Sequence, residues 1–370
     1  MKRTGNLWPL LTGWDNLTAS AHAAARGKRA RPDVARFLLN LEPNLCSLRR
    51  SLLEGDWAPG PYRTFRIADP KPRLISAAPF GDRVVHHALT RVLEPVFERR
   101  FSPQSFASRK GFGQHAALRQ AREACARYPF VLKCDIRKYF PSIDQGILKD
   151  RLVRVIKCRP TLDLAARIID GGSSDGSNPQ DDEIHWFPGD DLFAPGERRR
   201  GLPIGNQTSQ FFANVYLNPL DHFVVRELRP GRYLRYVDDF VLFGDSRPEL
   251  DEMRERIERF LEALRLRLHE NKSQVRRTSD GVTFLGWRLA PGRIRLPRPA
   301  VVRVRRRLRA IGRAYHAGGI DFEAVKARVQ AWLGHASFGD TWRLRQSLFE
   351  SFTLIQAEHG RSAARRVLEQ

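Results

Sequence analysis

The stretch GRYLRYVDDFVLFGD, Gly231–Asp245, places two adjacent carboxylates, Asp238 and Asp239, between apolar segments. Aspartate is depleted in strands, and charged residues are rarely buried without a partner. A surface turn accounts for one such residue, but FVLF follows the pair without a break. We therefore predict a strand, a tight turn that projects both carboxylates toward one point, and a second strand.

Composition indicates a globular protein with a polyanionic partner. The chain has 370 residues, of which 42% are hydrophobic, and its formal net charge is +23. Such an excess of basic residues favours nucleic acid, with a membrane surface as the other candidate. No uncharged apolar run approaches the ~20 residues of a membrane span, and the N-terminus lacks the pattern of a signal peptide. The four cysteines form no C-x-x-C pair, so we expect reduced cytosolic thiols and no zinc site. Together with the missing apolar run, this predicts a cytoplasmic protein without a membrane partner.

Periodicity along the chain predicts an α+β core with mostly helical flanks. Asp82 is expected to cap the helix that follows it. The Asp pairs at 181–182 and 190–191 lie in a polar loop and are predicted to be solvated turns. The predicted elements are helices over 15–53 ending at Gly55, a basic hairpin within 62–79, a strand at 129–136, a helix at 144–157, a long loop at 171–200, a helix at 249–268, a strand at 282–290 and a basic helix from Pro299.

A third aspartate, Asp135, lies at the end of the predicted apolar strand, in the segment VLKCDIRKYFPSID. Phosphoryl transfer to a nucleotide uses two divalent ions ~4 Å apart, which hold the attacking and leaving oxygens. Mg²⁺ prefers carboxylate and carbonyl oxygens as ligands. Three carboxylates on neighbouring strands of one sheet could hold such a pair of ions, so the pattern predicts a metal-dependent nucleotidyl-transfer site.

Seven segments, in order over roughly residues 60–290, resemble the sequence blocks of reverse transcriptases. They are DPKPRLISAAPFGDRVVHHAL, FSPQSFASRKGFGQHAAL, LKCDIRKYFPSID, GLPIGNQTSQFFANVYL, RYVDDFVLF, LRLRLHENKSQV and VTFLGWRL. The motif IGNQTSQ, Ile204–Gln210, resembles the version found in diversity-generating retroelement enzymes, of the group II intron-like lineage. The resemblance implies a right-hand polymerase fold. Its parts would be a helical extension at 1–60, fingers at 61–128, a palm at 129–290 with an insertion near 145–200, and a helical basic thumb at 291–370.

The resemblance also implies the chemistry of the site. The enzyme would be an RNA-directed DNA polymerase that makes cDNA by nucleotidyl transfer with two Mg²⁺ ions, or Mn²⁺ in their place. Asp135, Asp238 and Asp239 would ligate the metals together with the Ile136 carbonyl, and Lys272 would protonate the leaving pyrophosphate.

Other positions matched by the resemblance would form the pocket for the dNTP and the template. Basic residues Lys71 and Arg73 would bind the triphosphate, and Phe140 would exclude a ribose 2′-hydroxyl. Ile204, Gly205 and Gln210 would contact the template–dNTP pair, and an aliphatic residue at 204 implies frequent errors at template adenines. The segment FLGW, Phe284–Trp287, would seat the primer end, and the basic helix would contact the duplex.

The implied partners are an RNA template, a DNA or RNA primer and dNTPs. The resemblance to diversity-generating retroelement enzymes adds two candidate partners, a small basic accessory protein and a structured retroelement RNA. Three alternatives within the polymerases stay open: an antiphage-defence, a CRISPR-linked or a group II intron-like reverse transcriptase. The last is weakened by the expectation that intron-encoded enzymes continue past the thumb, whereas this chain ends at Gln370. A catalytically silent nucleic-acid-binding protein is the alternative outside the enzymes.

Overall fold

The computed structural model describes residues 2–67, 72–172, 185–350 and 352. The chain divides into two compact units, Met1–Gly113 with Leu132–Val275, and Gln114–Val131 with Arg276–Gln370. The helices are α1 Trp8–Thr12, α2 Trp14–Ala25, α3 Pro32–Leu39, α4 Leu41–Glu54, α5 Phe80–Glu98, α6 Gln114–Arg127, α7 Tyr139–Ser142, α8 Gln145–Val153, α9 Arg159–Gly171, α10 Ala194–Glu197, α11 Gln207–Phe223, α12 Arg247–Glu262, α13 Arg298–His316, α14 Phe322–Ala336 and α15 Trp342–Glu350. The strands are β1 Arg63–Ile67, β2 Arg73–Ala77, β3 Phe130–Asp135, β4 Arg232–Tyr236, β5 Asp239–Gly244, β6 Gln274–Arg277, β7 Val282–Phe284, β8 Trp287–Ala290 and β9 Arg293–Arg295.

The core of the first unit is a sheet in the order β4-β5-β3-β6. β4 and β5 form the antiparallel hairpin predicted for the opening stretch, which is confirmed. Residues 240–243 of β5 are fully buried, as expected for a strand covered on both faces. α11 is the most buried helix nearby, and its Phe211 packs edge-on against Phe97 of α5 with ring centroids 5.4 Å apart. The predicted α+β class is therefore confirmed.

The N-terminal part of the first unit follows the sequence pattern closely. The predicted helical region is divided into α2, α3 and α4. α4 ends where Gly55 adopts a left-handed conformation with φ 78°, as glycine commonly does after the last helical turn. The predicted basic hairpin is the antiparallel pair β1–β2. Residues 68–71, where the turn was predicted, lie outside the described residues.

Two predicted features of the first unit are wrong. Asp82 does not cap α5 but lies inside its first turn, because the helix begins at Phe80, and its carboxylate accepts the Gly60 N–H at 2.8 Å. The helix predicted to reach 268 ends at Glu262. Arg265 then takes a left-handed φ of 54° and donates to Asp144 at 2.6 Å, so a long-range ion pair overrides the helical pattern.

The predicted long loop begins where α9 ends, at Gly171, and its described part contains one short helix, α10. Residues 173–184, with the first Asp pair, lie outside the described part of the chain. Asp191 accepts backbone N–H groups of the turn that follows it, as predicted. Asp190 is not a solvated residue, because it forms ion pairs with Arg198 and Arg265 that anchor this segment.

Among its described residues, the second unit contains the meander β7-β8-β9 and four helices, α6, α13, α14 and α15. The single strand predicted at 282–290 is wrong: Leu285 and Gly286 have φ of 48° and 80° and separate β7 from β8. Positive φ at both turn residues is typical of a tight hairpin. Val304 and Leu308 of the basic helix α13 are buried with Leu348 of α15. Among the described residues, every helix is too short or too polar to cross a membrane.

Candidate active site at the β4–β5 turn

The two carboxylates of the opening stretch occupy a two-residue turn and the strand after it. Tyr236 of β4 pairs with Asp239 of β5, so Val237 and Asp238 form the turn. Val237 has φ 58°, a conformation that a β-branched residue rarely adopts. The turn gives Asp238 and Asp239 different environments, since one belongs to the turn and the other begins a strand.

Asp135 lies beside this turn, because β3 is the neighbour of β5 in the sheet. The Ile136 N–H donates to the Asp238 carbonyl at 3.3 Å and joins the end of β3 to the turn. Burial raises the pKa of Asp238, and the negative charge of Asp135 raises it further. The sheet therefore brings together Asp135 and Asp238, which are distant in sequence, and their charges interact.

Basic side chains surround the carboxylates. Lys272 donates to Asp135 at 3.1 Å, and Lys133 forms an ion pair with Asp239 at 3.6 Å. Arg73 of β2 and Lys272 both act to lower the pKa of Asp238, so their positive charges reach the same carboxylate. Sequence reasoning did not single out Lys133. Its position two residues before Asp135 places it on the same face of β3, which was the available signal.

The donor chemistry at the turn fits a hard divalent cation. Asp135 and Asp238 offer carboxylates whose mutual repulsion a cation would relieve. Asp239 is engaged by Lys133. Over the described ranges, no group of three or more His, Cys, Asp or Glu side chains is arranged as around a metal ion. The carboxylates fit a metal by donor type, but Asp135 has to exchange Lys272 and Asp239 has to exchange Lys133 to bind one, so the ligand set stays a prediction.

The aromatic pair after Asp135 separates into a structural and an accessible residue. Tyr139 is buried, and its hydroxyl donates to the Ala213 carbonyl at 2.6 Å. Phe140 is only half-buried, and its carbonyl accepts the Leu202 N–H at 2.9 Å. Its backbone is therefore fixed while part of the ring stays exposed. This suits a residue that contacts a substrate better than it suits a core phenylalanine.

The segment 204–206 is docked on β2. The Ser76 N–H donates to the Ile204 carbonyl, and the Asn206 side chain donates to the Ser76 carbonyl, both at 2.9 Å. Gly205 has φ 118°, and a Cβ there would lie 2.8 Å from Ile75 Cγ2, so both conformation and space favour glycine. Ile204 is half-buried. The strand that carries Arg73 and the predicted pocket residues 204 and 205 thus form one assembly.

Two further predicted pocket residues have separate positions. Gln210 is exposed and accepts a hydrogen bond from the Ser108 hydroxyl at 2.9 Å. Lys71 lies outside the described residues, so its predicted role stays a prediction.

A polar cleft of about 380 Å³ adjoins Gly205 and Gln210. Lys28, Arg83, His86 and His87 also line it. Burial lowers the pKa of both histidines to about 4, so at neutral pH the positive charge comes from the lysine and the arginine. The sequence indicated Gly205 and Gln210 as pocket residues, but not their assembly with Lys28, because these residues come from segments far apart in the chain.

The other predicted nucleic-acid contacts belong to the second unit. Phe284 and Trp287 of the predicted primer grip are buried, and the carbonyl of Leu285 in their turn accepts from Gln114 at 2.7 Å. The arginines of α13 are exposed and cover the part of the helix around its buried Val304 and Leu308. These exposed arginines are Arg303, Arg305, Arg306, Arg307 and Arg309.

Comparison with known proteins identifies relatives of this chain. Residues 68–289 match the family described as "Reverse transcriptase (RNA-dependent DNA polymerase)". Protein YkfC of Escherichia coli (strain K12) is 26% identical over 295 residues, which cover 69% of this chain and 73% of that protein. Nuclear intron maturase 2, mitochondrial, of Arabidopsis thaliana is 32% identical over 33% of this chain and 19% of its own length. Group II intron-encoded protein LtrA of Lactococcus lactis subsp. cremoris is 24% identical over 50% of this chain and 29% of its own length.

Proposed function

The chain belongs to the reverse transcriptase family, and we propose that it copies RNA into DNA by nucleotidyl transfer at the β4–β5 turn. Members of this family are RNA-dependent DNA polymerases, so the predicted enzyme class and right-hand polymerase fold are confirmed. A catalytically silent nucleic-acid-binding protein is correspondingly disfavoured. The substrates and the residue roles below are our proposal.

The carrying observation is the meeting of Asp135 and Asp238 beneath basic side chains. Burial and the negative charge of the partly exposed Asp135 raise the pKa of Asp238, so a cation between the two carboxylates would be favoured. A protein that only bound phosphates would gain nothing from carboxylates at this position, because they repel the ligand. The arrangement supports a site that binds divalent ions together with an anionic substrate.

In the proposed reaction, the primer 3′-hydroxyl attacks the α-phosphorus of a dNTP. A bond from the α-phosphorus to the 3′-oxygen forms, the hydroxyl proton passes to solvent water, and the bond from the α-phosphorus to the pyrophosphate oxygen breaks. Two Mg²⁺ ions, held by Asp135, Asp238, Asp239 and the Ile136 carbonyl, would stabilise the attacking and leaving oxygens. Arg73 would bind the triphosphate through its guanidinium. The Lys272 ammonium, 3.1 Å from Asp135, would supply a proton to the departing pyrophosphate.

Primer extension tests this proposal. Wild-type protein with an RNA template, a DNA primer, dNTPs and Mg²⁺ should extend the primer, and Asp238→Asn should reduce extension by at least 100-fold, of the order found when a charge-stabilising group is removed from an active site. Asp245→Asn, an exposed carboxylate just after β5, is the matched control and should extend normally. Normal extension by Asp238→Asn would refute the assignment.

We also propose that Ile204 makes synthesis error-prone at template adenines. Its backbone is held on β2 beside Gly205, and its side chain is half-buried, which supports a position in the wall of the nucleotide pocket. An aliphatic side chain cannot donate or accept the hydrogen bonds that a glutamine would offer there. Such errors would serve mutagenic retrohoming of a diversity-generating retroelement.

Sequencing of cDNA made in vitro tests the role of Ile204. Ile204→Gln should lower errors at template adenines more than at other bases, while Ile204→Leu, which keeps an aliphatic side chain of the same volume, should keep the bias. An unchanged error spectrum in Ile204→Gln would rule out this role.

A second candidate is a group II intron-like function, favoured by the similarity to an intron maturase and to a group II intron-encoded protein. This chain covers less than a third of the length of either relative. Sequencing of the RNA that copurifies with the protein distinguishes the candidates. Intron RNA supports the second, and RNA from a repeat with adenine-specific differences supports diversity generation. A small basic accessory protein, a structured RNA and the cytoplasmic location stay predictions.

A further inference from the structure

The conformation of the β4–β5 turn is unfavourable by itself. Val237, its first residue, has φ 58°, in a region that glycine, asparagine and aspartate tolerate better than a β-branched side chain. Left to local preferences, this residue would adopt an extended or helical conformation, and Asp238 would point elsewhere. Some interaction outside the turn therefore has to hold it.

The side chain of Arg235 supplies that interaction. Its guanidinium donates to the Val237 carbonyl at 2.9 Å. This carbonyl belongs to the peptide group that joins Val237 to Asp238. A hydrogen bond to it therefore fixes the orientation of that peptide plane, and with it the direction of the Asp238 backbone.

Arg235 is itself held rigidly. The side chain is fully buried and donates to both oxygens of Asp221, each at 2.6 Å, in a bidentate pair. It also donates to the Ser105 hydroxyl at 2.9 Å and to the Asn214 side-chain oxygen at 3.3 Å. The guanidinium is therefore a fixed point, because its position is set by α11 and by the segment before α6.

A buried ion pair is seldom the most stable solution for a core, since apolar residues of similar volume often do as well or better. A lysine could neutralise Asp221, but one ammonium cannot span both oxygens of Asp221 and the turn carbonyl. The Arg235–Asp221 pair is therefore better explained by the need to position the turn carbonyl than by a contribution to the stability of the core.

α11 connects this hydrogen-bond network to the segment 204–206, which contains the predicted pocket residues Ile204 and Gly205. Asp221 and Asn214 belong to α11, which begins at Gln207, directly after the docked segment 204–206. Asn214 also donates to the Ala107 carbonyl at 2.8 Å. One rigid helix thus carries the pocket segment at its start and the anchors of the carboxylate turn farther along.

We propose that Arg235 is a positioning residue, which uses Asp221 as its anchor to hold the Val237–Asp238 turn in its disfavoured conformation and so aims Asp238 at the reacting phosphate. This inference rests on the proposed polymerase function. It assigns to a fully buried residue outside the substrate pocket a share in setting the turnover rate.

The test compares Arg235→Lys with Tyr233→Phe. Tyr233 donates to the same Asp221 oxygen at 2.8 Å, so Tyr233→Phe perturbs the network without removing the bond to the turn. Each variant is characterised by thermal unfolding, by kcat and KM for dNTP, and by the Mg²⁺ concentration that gives half-maximal extension.

We expect Arg235→Lys to lower kcat at least 10-fold and to raise the half-maximal Mg²⁺ concentration, with KM for dNTP changed less than 3-fold. Tyr233→Phe, which removes one hydrogen bond to Asp221, should lower thermal stability while both kinetic parameters and the Mg²⁺ dependence stay within 2-fold of wild type. If Arg235→Lys fails to fold, Asp221→Asn, which keeps an acceptor for the guanidinium, provides the same comparison.

Rescue separates positioning from general support of the fold. Val237→Gly, introduced into Arg235→Lys, should recover at least half of the lost kcat on a logarithmic scale, because glycine adopts positive φ without strain. Absence of rescue, or equal kinetic losses in Arg235→Lys and Tyr233→Phe, would overturn the inference. Wild-type protein without polymerase activity would instead refute the proposed function.

Discussion

The arginines of α13 allow a quantitative test of duplex binding. Arg305 and Arg309 are one helical turn apart, exposed, and outside the buried stripe of Val304 and Leu308. Replacing both by glutamine removes two positive charges and keeps helix propensity, since arginine and glutamine rank closely. The buried stripe is untouched, so the fold should not change.

The expected effect follows from counterion release. Each arginine that neutralises one phosphate contributes about 0.9 to the slope of log K against log salt concentration. The double variant should therefore have a slope smaller in magnitude by about 1.8. Between 50 and 200 mM salt, a fourfold change, wild-type affinity should fall about 12-fold more than that of the variant.

Fluorescence anisotropy of a labelled RNA–DNA primer–template, titrated at several KCl concentrations, measures this slope. The matched control is Arg247→Gln with Arg259→Gln on α12, where both arginines are exposed among acidic residues. That control should keep the wild-type slope. Equal slopes for the α13 variant and wild type, or equal reductions in both variants, would refute a duplex-binding role for α13.

Three further predictions concern the site itself. Phe140→Ala should raise ribonucleotide incorporation at least 10-fold if the exposed part of the ring excludes a 2′-hydroxyl, and unchanged sugar discrimination in primer extension would contradict this. The raised pKa of Asp238 means that the folded protein binds a proton at this carboxyl group more tightly than the unfolded chain does. As the pH rises above the ordinary pKa of aspartate, the ionised carboxylate therefore lowers the free energy of unfolding. Asp238→Asn should therefore unfold a few degrees higher than wild type at pH 7.5 in EDTA but not at pH 4, and a lower melting temperature at pH 7.5 would refute the argument. Gly205→Ala should lower the free energy of unfolding in urea by about 1–3 kcal/mol. The control Gly189→Ala also has a positive φ but open space at its Cβ, so it should lose less. Equal losses would show that the Ile75 side chain moves aside at no cost.

Local patterns predicted the elements that carry the site but not all of their ends. The apolar residues around Asp238 and Asp239 predicted β4, the turn and β5, because a buried strand shows its burial in the hydrophobicity of its own residues. The strand at 282–290 and the helix to 268 were wrong at their turns. At both positions non-glycine residues, Leu285 and Arg265, adopt positive φ, which sequence preferences do not anticipate.

By itself, the sequence determined that carboxylates end one strand and interrupt a hairpin, and the ordered motifs identified the family. The tertiary structure alone decided which charges meet: Lys272 with Asp135, Lys133 with Asp239, and Arg235 with Asp221 and the turn. The physical reason is that periodicity reports whether a residue is buried, whereas the partner of a charge depends on how distant segments pack. Val237 shows the difference most clearly, since its conformation opposes its own preference and is held by an arginine buried beneath it.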